Sequence, residues 1–511
     1  MLIPAVCLFG VALNAWISDD AYITFRTISH FLEGHGLRWN IAERVQSYTH
    51  PLWMMLITAG VAITREYYFT VLALSLLVSA AVLWTLWDRT GAGMWKNVLL
   101  CGLLVSSKAF VEYSTSGLEN PLTHFWLAVF FIRYFRVEKE GVSCSAKELA
   151  GLYGLASMAY LTRPDAILLY VPALCHASVG VLSRTRRAGG MAILLGILPA
   201  VAWHVFSLVY YGFIFPNTYY AKLGGVGLPA GLLWRQGGFY VLQSLKYDPV
   251  TVAVILCALV ALLAVGGARS RGRCMAAGLV LYLLYVVRIG GDFMSGRFFS
   301  APYLLATMAL VRAIWKPGAR WAVLGLLLLY NLFWPFVPLK MSRDYKPWDA
   351  DEEHGIADER GYYQSGSALL FYRPGQRFPD NIFIGLGHAA RRSGTKVHFS
   401  TTLGFSGFAA GSDLHIVDKL GLSDPLLARL PISASSRQEF QVGHYAREIP
   451  AGYRESCEAG ENRIVDPELH KYAGDLFVIT RGPLFTRERW RAIWRYNFGD
   501  GRTYRKPYQP D

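Results

Sequence analysis

Ser183-Arg-Thr-Arg-Arg-Ala-Gly-Gly-Met191-Ala-Ile-Leu-Leu-Gly-Ile-Leu-Pro-Ala-Val-Ala-Trp-His-Val-Phe-Ser-Leu-Val-Tyr-Tyr211 is the stretch on which the fold reading turns. Residues 190–211 contain no Lys, Arg, Asp or Glu, and a membrane crossing needs about 20 predominantly apolar residues. Arg184, Arg186 and Arg187 stand at one end, a tyrosine pair at the other. Basic residues in a short loop and aromatics at the opposite boundary are what a bilayer selects at the two ends of a span.

Working outward, the same alternation repeats. Further apolar runs lie near residues 2–17, 68–87, 97–112, 119–136, 148–162, 166–183, 249–267, 274–289, 298–315 and 320–337. Between them fall the basic groups Arg133, Arg136, Lys139 and Lys147, then Arg269, Arg271 and Arg273, then Arg312, Lys316 and Arg320. The composition agrees: 53% hydrophobic and 17% charged, against roughly 25% charged in soluble chains. A disordered chain and a cytosolic multidomain enzyme are excluded. Seven cysteines in 511 residues, with no CxxC pair, exclude a disulfide scaffold. The net charge of +14 sits in the loops between apolar runs, so it marks membrane topology and not nucleic acid as a partner.

A run at 51–64 has only fourteen residues and suits an interfacial helix. Placing every basic loop in the cytoplasm brings Arg89 and Lys96 inside as well, provided 51–64 does not cross. The expectation is a mainly α membrane protein of about eleven spans, N-terminus inside. The first run reads as a retained helix, with a cleaved signal peptide as the alternative. Residues 18–67, 113–118, 163–165, 212–248, 290–297 and everything after about 338 then face outward. Residues 1–338 form the membrane domain, with 18–67 an outer interfacial loop; residues 339–511 form a soluble extracytoplasmic α/β domain. Its short apolar runs at 381–385, 414–417 and 475–480 read as buried strands. It carries neither a Walker A sequence nor GxGxxG.

The outward loops hold the unusual motifs. Asp19-Asp20 follows the first run; burial and mutual repulsion raise the pKa of one carboxylate of such a pair, which suits a general base. A solvated pair at a helix end is the plainer alternative. Thr115-Ser-Gly-Leu-Glu119 offers a carboxylate, or simply a Ser116–Glu119 capping box. Arg163-Pro-Asp165 offers a cation and an anion, or a local turn salt bridge. Tyr211-Gly through Pro216-Asn217 to Ala221-Lys222 is aromatic, either as an interfacial belt or with Lys222 as a point charge for phosphate. Gly290-Gly-Asp-Phe-Met-Ser-Gly-Arg297 offers backbone N–H groups and a guanidinium to an anion, or a plain hairpin. Carboxylates and cations at one boundary fit a lipid-linked phosphate donor and an acceptor arriving from outside.

At these motifs the chain resembles the GT-C membrane glycosyltransferases. Within them it is similar to the terminal β-(1→2)-arabinofuranosyltransferases of mycobacteria and their bacterial relatives, some labelled flagellar motor control proteins. The resemblance rests on Asp19-Asp-Ala-Tyr-Ile-Thr-Phe-Arg26-Thr, Asn40 with Glu43-Arg-Val45, Thr115–Glu119, Arg163-Pro-Asp165, Tyr211-Gly with Pro216 and Lys222, and the Gly290–Arg297 string. Asp358-Glu-Arg360 and Ile416-Val-Asp418-Lys-Leu-Gly421-Leu continue it into the tail. It implies a GT-C helical bundle in the bacterial cytoplasmic membrane. The implied reaction moves arabinofuranose from a polyprenyl-phosphate donor to a cell-envelope glycan. Asp19 and Asp20 are implied as catalytic, Arg163, Lys222 and Arg297 as holding the donor phosphate, and Arg26, Glu119, Asp165, Asn217 and Asp292 as contacting substrate. No soluble nucleotide sugar is implied as donor; a divalent cation on the two aspartates, an inverting and a retaining scheme all stay open. A membrane scaffold or motor-control protein is the non-enzymatic alternative. A transporter is disfavoured, because the ionisable groups form no relay through the bilayer centre.

Overall fold

The computed structural model describes residues 2–511 except 88, 90–92, 140–143, 225–226, 265–269, 314, 342–352, 374 and 439. Arg269, read above as part of a basic loop, lies outside the described residues. The chain is mainly α-helical and divides into two compact units, each assembled from three separate stretches. The first comprises Met1–Ile17, Glu66–Ala200 and Ala230–Tyr372, the second Ser18–Arg65, Val201–Pro229 and Arg373–Asp511.

The apolar runs of the sequence become helices, with Arg186–Tyr210 divided between the units after Ala200 and the others below lying in the first. Tyr68–Leu86, Pro164–Leu182 and Arg186–Tyr210 are long and apolar enough to cross a membrane. Ala230–Tyr247 and Pro249–Ala264 pass the same test as a pair bent by 109°. Leu2–Leu13, Met94–Ser106 and Pro317–Phe333 are shorter apolar helices. Met191, Leu194, Leu195 and Leu198 are exposed along Arg186–Tyr210, and Pro317–Phe333 buries no residue. Apolar surface on that scale belongs in lipid. Inside, small residues let helices touch: a Cβ on Gly278 would stand 2.4 Å from the Leu169 carbonyl oxygen, and one on Gly237 would stand 2.0 Å from that of Val287.

Two local departures from the sequence reading matter. The run at 97–112 is broken at Ser107, whose extended backbone and side chain cap a new helix, Lys108–Tyr113, by accepting from Phe110 N at 3.1 Å. The segment 212–248, read as a loop, contains helix Ala230–Tyr247. Its inner face is polar (Gln236, Gln243, Ser244), so it carried no apolar run to be read. Pro249 then disfavours continued helix at Asp248 and sets the bend.

The second unit holds a two-stranded parallel sheet, Val397–Ser400 against His415–Asp418, with Val397 opposite His415 and Ser400 opposite Asp418. The strand expected at 414–417 is therefore present. Those expected at 381–385 and 475–480 are helices, Ile382–Arg392 and Pro467–Arg481. Asn381 caps the first by accepting from Phe383 N at 2.9 Å, and Asp466 caps the second by accepting from Leu469 N at 2.8 Å. The reason is periodicity: Leu469, Ala473, Leu476 and Thr480 are buried at helical spacing, and a six-residue window cannot distinguish that pattern from a strand. Helices Asp19–Leu32, Pro51–Thr64, Asn217–Lys222 and Arg487–Phe498 also belong to this unit, with a core that includes Phe213, Tyr220, Val417, Leu476, Ile479 and Ile493.

Candidate functional site

The candidates fall into one set per unit. In the second unit Asp19 and Asp20 open helix Asp19–Leu32, a position where the helix dipole favours negative charge. Both oxygens of Asp19 are engaged: Oδ1 accepts from Phe405 N at 2.7 Å and Oδ2 from Gly404 N at 3.1 Å. Asp19 thus ties its own helix to the start of helix Phe405–Ala409. Burial raises the Asp19 carboxyl to about 7; the Phe405 amide opposes this, and the Asp20 charge adds to it. Gly404 is required at this contact, since a Cβ there would stand 1.9 Å from the Asp19 carbonyl oxygen.

Arg26, two turns along the same helix, is 1% exposed. Its guanidinium donates to the Trp39 carbonyl at 2.9 Å, to those of Gly411 and Leu414 at 2.8 Å, and to Gly407. It also lies over the Trp39 ring. Burial lowers its pKa to about 9. Asn217 is similarly committed to the fold. Its amide donates to the carbonyls of Gly421 at 2.8 Å and Asp424 at 2.9 Å, while its oxygen accepts from Arg429 Nη1 at 3.0 Å. Lys222 is half-buried, with Nζ against Gly443, where an added Cβ would stand 3.0 Å away.

In the first unit three motifs far apart in sequence converge. Glu119 Oε1 accepts from Arg163 Nη1 at 3.1 Å and from Arg297 Nη2 at 3.3 Å. Arg163 Nε reaches both oxygens of Asp165 at 3.1 Å, and Tyr282 donates to Asp165 Oδ2 at 3.0 Å. Asp292 Oδ2 stands 3.7 Å from Arg297 Nη1. The Arg163 guanidinium lies 4.6 Å over the Phe298 ring. Burial would lower its pKa, but Asp165, with Tyr282 and Glu119, holds it well above the ordinary value. The hydroxyls of Thr115 and Ser116 and the Nε2 of His124 are buried without a hydrogen-bond partner. A Ser116–Glu119 capping box is therefore not formed.

The Gly290–Arg297 string is held by Ala357, the residue before the Asp358–Arg360 motif. Ala357 N donates to the Phe293 carbonyl at 2.6 Å and Ser295 N to the Ala357 carbonyl at 3.0 Å. Next to it, Asp358 accepts from Lys108 Nζ at 3.0 Å, and Lys108 meets both Glu112 oxygens at 2.7 Å. Arg360 Nη1 lies 3.6 Å from Glu112 Oε1. Sequence reading singled out neither Lys108 nor Glu112, although two opposite charges four residues apart inside an apolar run were the available signal. The amides of Gly404 and Phe405 gave none, being backbone. Among the described residues, no cluster of three His, Cys, Asp or Glu side chains is placed to hold a metal ion.

No family model matches the chain. The terminal beta-(1->2)-arabinofuranosyltransferase of Mycobacterium tuberculosis is 25% identical, over 82% of this chain and 79% of its own length. The terminal beta-(1->2)-arabinofuranosyltransferase of Corynebacterium glutamicum is 26% identical over 68% of this chain. The chain is a relative of these two proteins. It spans most of the mycobacterial arabinofuranosyltransferase and 55% of the length of the corynebacterial one.

Proposed function

We propose that this protein is a membrane glycosyltransferase of cell-envelope synthesis that moves arabinofuranose from a polyprenyl-phosphate donor to a glycan acceptor. The observation that carries the reading is the convergence of Arg163 and Arg297 on one buried carboxylate oxygen of Glu119, in a chain related to two arabinofuranosyltransferases. Two guanidiniums held in fixed forks suit recognition of a phosphate leaving group. In the transfer, the bond from the sugar anomeric carbon to the donor phosphate oxygen breaks, with the electron pair leaving on phosphate. A new bond forms to the acceptor oxygen, whose proton passes to a carboxylate.

Asp20 takes the proton in this reading. Asp19 beside it has both oxygens on backbone amides and positions it. In the first unit Arg163 and Arg297 are assigned to the donor phosphate, and Asp165 and Asp292 to substrate contact or to orienting the arginines; in the second unit Lys222 is assigned to phosphate. Eleven crossings are proposed, with the tail and site on the outer face of the bacterial cytoplasmic membrane, consistent with the basic loops.

The test is transfer by detergent-purified protein from a synthetic polyprenyl-phosphate arabinofuranose to a panel of oligosaccharides. Product with the native chain and none with folded Asp20→Asn is the expected result. Undiminished turnover in Asp20→Asn removes the base assignment, and no transfer from folded native protein removes the donor assignment.

A further inference from the structure

Helix Arg487–Phe498 of the second unit has a face that the core does not use. Arg489, Ala492, Ile493, Tyr496 and Asn497 point inward. Trp490, Trp494 and Phe498, at i, i+4 and i+8, point outward, with Trp494 68% and Phe498 54% exposed. Phe485, just before the helix, is 78% exposed. Arg487, Arg491 and Arg495 form an exposed row along the same side. Large apolar rings left in water need an occupant.

The attachment of this helix indicates which. Arg489 Nη1 donates to the Val209 carbonyl at 2.8 Å and Nη2 to the Tyr210 carbonyl at 3.0 Å. Asn497 donates to the Gly212 carbonyl at 2.8 Å and accepts from Ile214 N at 3.2 Å. A Cβ on Gly212 would stand 2.2 Å from Ile479. These bonds fasten the helix to the last turn of Arg186–Tyr210, a helix long and apolar enough to span. All the residues involved, including 201–210, belong to the one unit. The end of a span is the membrane–water boundary, where tryptophan is favoured and arginine meets headgroup phosphate.

We infer that helix Arg487–Phe498 is an interfacial helix seated on the lipid surface, its Trp490–Trp494–Phe498 stripe in the acyl boundary and its arginine row on the headgroups. The inference goes beyond the transferase reading and rests on Arg186–Tyr210 crossing the membrane.

The experiment uses full-length protein in lipid nanodiscs, with a nitroxide placed singly by Trp494→Cys, Glu488→Cys or Val205→Cys after replacing the exposed native Cys175 and Cys257 by Ser. Relaxation by oxygen, which concentrates in lipid, is compared with relaxation by a water-soluble nickel chelate. The expected ratio of oxygen to nickel effect is several-fold higher at 494 than at 488, with or without glycan. An equal ratio at 494 and 488, with 205 lipid-like, overturns the inference and leaves the span intact. Nickel shielding at 494 that needs an added oligosaccharide also overturns it, in favour of a glycan-stacking face. A water-like 205 overturns the span and the inference together. None of these outcomes bears on whether transfer occurs.

Discussion

Arg163 Nη1 lies 3.1 Å from Glu119 Oε1, and both side chains are buried. The same oxygen takes Arg297 Nη2 at 3.3 Å, so one carboxylate orders two guanidiniums from segments 44 and 178 residues away. Breaking one partner of a buried pair costs about 3–5 kcal/mol, because the remaining charge keeps its desolvation penalty. Glu119→Gln is therefore expected to lower stability by an amount of that order, and to a smaller extent when combined with Arg163→Met. A double-mutant cycle read by thermal unfolding checks this; additive effects would mean the pair is not coupled.

Asp19 and Asp20 are adjacent but differently engaged. Asp19→Asn turns an amide NH2 toward one of two backbone donors, Gly404 N or Phe405 N, leaving it without an acceptor, and should lower the melting temperature along with turnover. Asp20→Asn should lower turnover about 100-fold or more in protein that remains folded. Undiminished turnover in folded Asp20→Asn would contradict its assignment as the base.

The pH dependence follows from burial. The Asp19 carboxyl is raised from 3.8 to about 7, and Asp424 moves in the same direction by burial and the charge of Glu43. A carboxyl that holds its proton more tightly folded than unfolded contributes stability below the unfolded value, and that contribution is lost as pH rises through the folded value. The melting temperature should fall between about pH 4 and about pH 7, and Asp424→Asn should flatten that slope. Asp424 accepts from Leu426 N at 2.9 Å, Leu427 N at 2.8 Å and the Tyr453 hydroxyl at 2.8 Å, so Asn at this position keeps the geometry of at least one bond.

Arg26 joins helix Asp19–Leu32 to the carbonyls of Gly407, Gly411 and Leu414. Removing it leaves several buried acceptors without donors, at about 1–3 kcal/mol each. Arg26→Met should make the 404–414 segment sensitive to limited proteolysis, and any loss of transfer should follow loss of folded protein. A folded Arg26→Met variant with only a raised KM would instead make Arg26 a substrate ligand.

The helical class was legible because hydropathy and charge alternate along the chain, as at Arg184–Arg187 and the run that follows. The Glu119, Arg163, Asp165, Asp292 and Arg297 set was legible as residue types, since charges beside apolar runs are costly and stand out. Less legible was the tail. Residues 475–480 have the length and composition of a strand, and become helix because Asp466 and Pro467 start one upstream and the buried positions recur every three or four residues.

Local sequence set what leaves water, the long apolar helices, and what stays at its boundary, the basic loops and the charged motifs that a bilayer would not tolerate without partners. Tertiary structure alone decided the pairings. Arg163 and Arg297 share Glu119, Lys108 meets Glu112 and Asp358, and Asp19 rather than Asp20 is bound by the amides of Gly404 and Phe405. The physical reason is range. Hydropathy and local propensity act over a few residues and are written in adjacent letters, whereas an ion pair or an amide contact depends on which distant segments packing brings within about 3 Å.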